Sequence, residues 1–93
     1  METHAHIPTA HASRYLQQLC KHWSHRFDVT FTPLVGRIPF AEDRACTLEA
    51  DADGLKLTLV TPDAESNTRM QGVVFDHLKR FAFREELVVP KWR

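Results

Sequence analysis

Between Arg26 and Leu59 the apolar side chains fall on every second position in four short runs. Phe27, Val29 and Phe31 alternate with Asp28, Thr30 and Thr32. Ile38 and Phe40 share a face, Cys46, Leu48 and Ala50 alternate with Thr47 and Glu49, and Leu55, Leu57 and Leu59 alternate with Lys56 and Thr58. Successive side chains of a strand point to opposite faces, so this period marks strands with one dry face and one wet face. Punctuation between the runs agrees. Pro33 stops the first, Ala41 to Arg44 is a polar turn, and Asp51-Ala52-Asp53-Gly54 ends in the Asp-Gly pair that hairpin turns favour. Pro39 cannot donate to a ladder and restricts its strand to an edge or to one-sided pairing. Ala5 and Ile7 alternate with His4 and His6 before Pro8, which allows a further short strand or a frayed end.

The flanks of this region switch to helical spacing. From Ala10 to His25, with Thr9 as the expected cap, Ala12, Leu16, Leu19, Cys20 and Trp23 share one face. After Thr61-Pro62-Asp63, which reads as a cap, Met70, Val73, Val74, Leu78 and Phe81 form the longest apolar stripe in the chain, within a helix over residues 63–83. Gly72 interrupts this helix at roughly 1 kcal/mol relative to alanine, and a close helix–sheet contact is the expected reason. The architecture that buries all these faces is α+β. It is a two-layer sandwich, an antiparallel β-meander of about four strands with two helices packed on one face, in a single domain spanning residues 1–93. Leu87 to Trp92 supplies a further short strand or a tail over the core.

Twelve basic residues balance twelve acidic ones. A nucleic-acid binder is expected to show a basic excess or stripe, so none is expected as partner. Zero net charge also eases self-association. No apolar run approaches the ~20 residues that span a bilayer, and no basic segment leads into an apolar one at the start, so the expected location is cytoplasmic. In that compartment Cys20 and Cys46 read as packed free thiols, with a disulfide as the alternative.

Six histidines stand out. On a helical wheel His11, Gln18, His22 and His25 share a sector away from the Leu16–Trp23 face. His22 and His25, three residues apart, can in principle share a zinc or iron ion with a histidine from the N-terminus such as His6. The plainer reading is a polar helix face that uses histidine. His77 lies within the apolar stripe, either as a ligand or acid–base group or as a core histidine bonded to a backbone carbonyl or to Tyr15. Cys20 is the other side chain an enzymatic reading would use. Phe75 and Phe83 fall off the main stripe and, with Trp92, are candidates for a partner or homodimer surface. The chain holds no Cys-x-x-Cys pair, no His-Glu-x-x-His, no phosphate loop and no nucleophile elbow.

The runs His11–Trp23 (HASRYLQQLCKHW), Gly36–Phe40 (GRIPF), Cys46–Ala50 (CTLEA) and His77–Glu85 (HLKRFAFRE) resemble the bacterial domain-of-unknown-function family 2218 over nearly the whole chain. The resemblance implies a small bacterial protein associated with siderophore-interacting flavoproteins, and hence a link to iron or siderophore handling. It carries over no catalytic or binding residue. The expected function is therefore a non-enzymatic accessory or binding protein with a small ligand or a protein partner, such as that flavoprotein. A histidine-based metal binder or metallochaperone is the alternative, and a small enzyme acting through His77 or Cys20 is the weakest.

Overall fold

The alternating runs form one antiparallel sheet, and the two helical patterns cover one of its faces. A computed structural model describes all residues, Met1–Arg93. In chain order the elements are β1 (Glu2–Pro8), α1 (Ala12–Trp23), β2 (Thr30–Phe31), β3 (Val35–Ala41), β4 (Arg44–Ala50), β5 (Gly54–Val60) and α2 (Ala64–Phe81). The sheet has five strands in the order β1-β5-β4-β3-β2. The fifth is β1, a full seven-residue strand, which adds antiparallel to β5 at the edge of the meander.

The register places every dry position on the helical side. Thr3, Ala5 and Ile7 of β1, Leu55, Leu57 and Leu59 of β5, Cys46, Leu48 and Ala50 of β4, and Ile38 of β3 are all buried. The leucines and isoleucines among them are fully buried, and each contributes roughly 1.5–3 kcal/mol of transfer free energy. Leu16, Leu19, Cys20 and Trp23 of α1 and Val74, Phe75 and Leu78 of α2 close the core from above. The opposite face is bare and polar. One row crosses all five strands: His4 opposite Thr58, Thr58 opposite Thr47, Thr47 opposite Arg37, and Arg37 opposite Thr30.

Two turns explain where the chain changes direction. In the β4–β5 hairpin the Asp51 carboxylate accepts from the amides of Asp53 and Gly54. Gly54 has a φ of 153°, and a Cβ there would run into the Ile7 carbonyl of β1. This position therefore requires glycine on both conformational and steric grounds. At the start of α2, Asp63 accepts from the Ser66 amide at 2.7 Å and caps the helix.

The structure corrects several expectations. The strand read over Arg26–Thr32 shrinks to Thr30–Phe31 because the Trp23 carbonyl captures the amides of Arg26 and Phe27, extending the turn after α1. Phe27 instead packs edge-on against Phe40, which meets Trp23 in turn. The residue before α1 is His11, with no side-chain cap. Thr9 accepts from the His11 amide and donates to Glu85. In α2 the buried face is turned toward Asn67 and Phe75, leaving Met70, Val73 and Phe81 half-buried. Asn67, almost fully buried, accepts from the Thr3 hydroxyl at 2.7 Å and from Gln71 at 2.8 Å, pinning α2 to β1. Gly72 touches nothing a Cβ would meet. The glycine that admits a close helix–sheet contact is Gly36 of β3, where a Cβ would lie 2.6 Å from the Cys20 sulfur.

Candidate functional site: a basic cleft beside the first strand

The tail after α2 adds no regular strand. Its last residue nevertheless pairs with the edge of β1. The His4 amide donates to the Arg93 carbonyl at 3.0 Å, and the Arg93 amide donates to the His4 carbonyl at 2.9 Å. Two residues that exchange both bonds in this way form an antiparallel hydrogen-bonded pair. Trp92 packs against the core, sharing a hollow with Gly72, Phe75 and Pro90. Its neighbours Lys91 and Arg93 line a cleft at the polar face.

That cleft, about 510 Å³, is lined by His4, Ala5, His6, Lys56, Lys91 and Arg93. His4 and His6 are consecutive outward positions of β1, and Lys56 of β5 stands directly opposite His6. No Asp or Glu side chain lines it. Glu2 stands beside it and holds His4: the Glu2 carboxylate accepts from Nε2 at 2.9 Å, and Nδ1 meets the Thr58 hydroxyl at 3.1 Å. Lys56 has Glu49 opposite it on β4, yet neither Lys56, Lys91 nor Arg93 forms an ion pair. Three uncommitted cations and two imidazoles thus converge in a chain of zero net charge. Such a concavity attracts an anion and excludes other cations.

The remaining candidates separate. His22 and His25 lie at the end of α1, and His6 lies in the cleft on the bare face. No group of three His, Cys, Asp or Glu side chains comes close enough to hold a metal ion, so the His22–His25–His6 ligand set is not assembled. His11 sits near Glu85, at 4.0 Å, and edge-on to Tyr15. Tyr15 does not meet His77. Its hydroxyl donates to Glu85 at 2.7 Å, and burial first, then that bond, pushes the phenol up to about 12. Bonds from Tyr15 and Thr9 hold the Glu85 carboxyl below the ordinary range. His77 donates from Nδ1 to the Val73 carbonyl at 2.7 Å, the backbone alternative read from the sequence.

Cys20 and Cys46 are free and fully buried, and burial pushes their thiols up to about 11 and about 12. Neither sulfur is open to solvent, and both sit in the core between α1 and the sheet. Phe75, on α2, is buried against the tail, and Trp92 is half-buried. Of the three residues read as a partner surface only Phe83, 76% exposed, is open to solvent. No helix is long and apolar enough to cross a membrane.

The family model described as "Uncharacterized protein conserved in bacteria (DUF2218)" matches residues 4–93. The chain belongs to this family. Among solved structures, the NMR structure of PA4090 from Pseudomonas aeruginosa is similar, with 42% sequence identity and a TM-score of 0.81 over 99% of this chain and 94% of that one. No curated protein matches. The DUF2218 member described here is thus an α+β domain whose five-stranded sheet leaves one polar face bare, with the basic cleft at the edge of that face.

Proposed function

We propose that this DUF2218 protein is a non-catalytic binding protein whose cleft beside β1 takes a small anionic ligand. The observation that carries the reading is the convergence of His4, His6, Lys56, Lys91 and Arg93 on one concavity with no acidic lining residue. Lysine and arginine bind carboxylate or phosphate oxygens through charge-assisted hydrogen bonds, and arginine adds a bidentate geometry. At the edge of a bare sheet, such groups offer binding without any adjacent nucleophile. The resemblance to proteins associated with siderophore-interacting flavoproteins makes an anionic ferric chelate the ligand we favour, with that flavoprotein as the partner in iron handling.

The test is calorimetric titration with two probes, citrate and a ferric tricatecholate, at low and high salt. The expected result is one site per chain, weakened by salt. Lys56→Glu and Arg93→Ala should each lower affinity about tenfold or more, the scale of one charge-assisted contact. Binding of the ferric chelate but not citrate supports the iron reading. Binding of both supports the anion site alone. Equal affinity in the wild type and in Lys56→Glu overturns the cleft as the site.

A further inference from the structure

On the helical side of the sheet, away from the cleft, α1 and α2 bring together two histidines that the sequence singles out on separate grounds. The rings of His22 and His77 stand 5.3 Å apart, centroid to centroid, with 46° between their planes. The Trp23 ring lies 4.7 Å from that of His77, tilted by 41°, and Phe81 lies edge-on to His22 at 5.8 Å. His77 is half-buried and His22 is exposed. We propose that His22 and His77 form an open two-histidine site for a late first-row transition metal ion, copper or zinc. Water or a small exogenous ligand fills the remaining positions. This site is independent of the anion cleft and stands or falls without it.

Three observations support it. First, the Val73 carbonyl can only accept, so His77 carries its proton on Nδ1 and presents the Nε2 lone pair. A backbone carbonyl that fixes the far ring nitrogen is the usual outer support of a metal-bound histidine. Second, the ring nitrogens of His22 have no hydrogen-bond partner in the protein, although the ring is held between Trp23, His77 and Phe81. Third, the spacing fits one ion. With a metal–nitrogen bond of about 2.1 Å, two imidazoles at a tetrahedral angle have ring centroids about 5 Å apart. Imidazole pairs suit copper, zinc and nickel, and copper(II) binds such nitrogen sites most strongly among them. No third His, Cys, Asp or Glu joins the pair, so two positions at least are left to exogenous ligands.

The experiment is copper(II) titration of tag-free protein, followed by tryptophan fluorescence and by the histidine ring signals in NMR. Copper bound at His77 lies against Trp23 and quenches it, whereas Trp92 packs against the tail and α2. The expected result is one tight equivalent that quenches Trp23 and perturbs the His22 and His77 rings first. His22→Gln and His77→Gln should each weaken this step about tenfold or more. His25→Ala should leave it in place. His22 is exposed, so His22→Gln is expected to keep the fold and carries the test if His77→Gln melts early. An unchanged first step in a folded His22→Gln variant, an equal loss in His25→Ala, or graded uptake by several histidines together overturns the proposal.

Discussion

Replacing Gly36 by alanine tests how the first helix rests on the sheet. A Cβ on Gly36 would stand 2.6 Å from the Cys20 sulfur, 3.3 Å from the Phe31 Cβ and 3.4 Å from Leu16 Cδ2. Ordinary contact begins near 3.4 Å, so the sulfur is the one atom that must move substantially, by about 0.8 Å. Cys20 is fully buried on α1, and a short side chain there has no open space to enter. Overpacking of this kind costs about 2 kcal/mol. For a domain of this size that lowers the melting temperature by about 8–16 °C. Cys20→Ala alone removes one buried atom and should cost about 1 kcal/mol.

The double variant decides the matter. If the clash is with the sulfur, the new methyl occupies the space the sulfur leaves, and Gly36→Ala/Cys20→Ala should lose about 1 kcal/mol rather than the additive ~3. Urea unfolding of the four proteins of the cycle reads this as a coupling of about 2 kcal/mol, well above the error of the method. A double variant as unstable as the sum of the two single ones would refute the reasoning. Gly36 would then matter for its backbone or for the Phe31 and Leu16 contacts, not for the seat of Cys20.

Other outcomes follow from the same packing. Gly72→Ala should raise stability by up to about 1 kcal/mol, because the position is exposed and helical and nothing lies within reach of the added methyl; thermal melts check this. Asn67→Leu should lower stability by about 2 kcal/mol in urea titrations, since it strips the buried Thr3 hydroxyl of its acceptor. Thr3→Val in that background should recover part of the loss. Glu85→Gln should change the pH dependence of stability. The folded-state carboxyl is held low by Tyr15 and then Thr9, so its contribution is present at neutral pH and disappears as pH falls through that lowered value. The wild type should therefore exceed Glu85→Gln in stability at pH 7, with the gap closing in acid below pH ~4. A gap that does not vary with pH would mean that the charge of Glu85 adds nothing.

Much of the architecture is legible because binary patterning and turn chemistry act locally. The Leu55–Leu57–Leu59 alternation, the Asp51–Gly54 turn and the Leu16–Trp23 helical face each determine an element without knowledge of its neighbours. The errors lie where tertiary contacts override local signals. Phe27 and Val29 have strand spacing, but the Trp23 carbonyl and the Phe40 ring claim that segment. Asn67 is polar by type, yet its partner Thr3 lies on another strand, so no local pattern could mark it as core. Both glycines Gly36 and Gly72 are visible in the sequence. Which one lies beneath a helix depends on a crossing that periodicity does not encode.

The candidate sites were hidden for the same reason, in a stronger form. The basic cleft joins His4 and His6 from one end of the chain with Lys91 and Arg93 from the other, and Lys56 completes it through the β1–β5 register. No single window along the sequence contains these five groups, and the whole-chain balance of charge points away from a basic site. The His22–His77 pair likewise depends on α1 and α2 ending side by side. A helical wheel groups His22 with His25 because it knows only one helix. The structure instead turns the His22 ring toward the neighbouring helix, where the Val73 carbonyl has already set the tautomer of His77. Spacing within one element therefore cannot show that His22 has His77 as its ring neighbour. In a fold this small, with two helices on one face and a tail clasped to the far edge strand, binding groups can gather only where elements meet, and those meetings are what a sequence read in order does not contain.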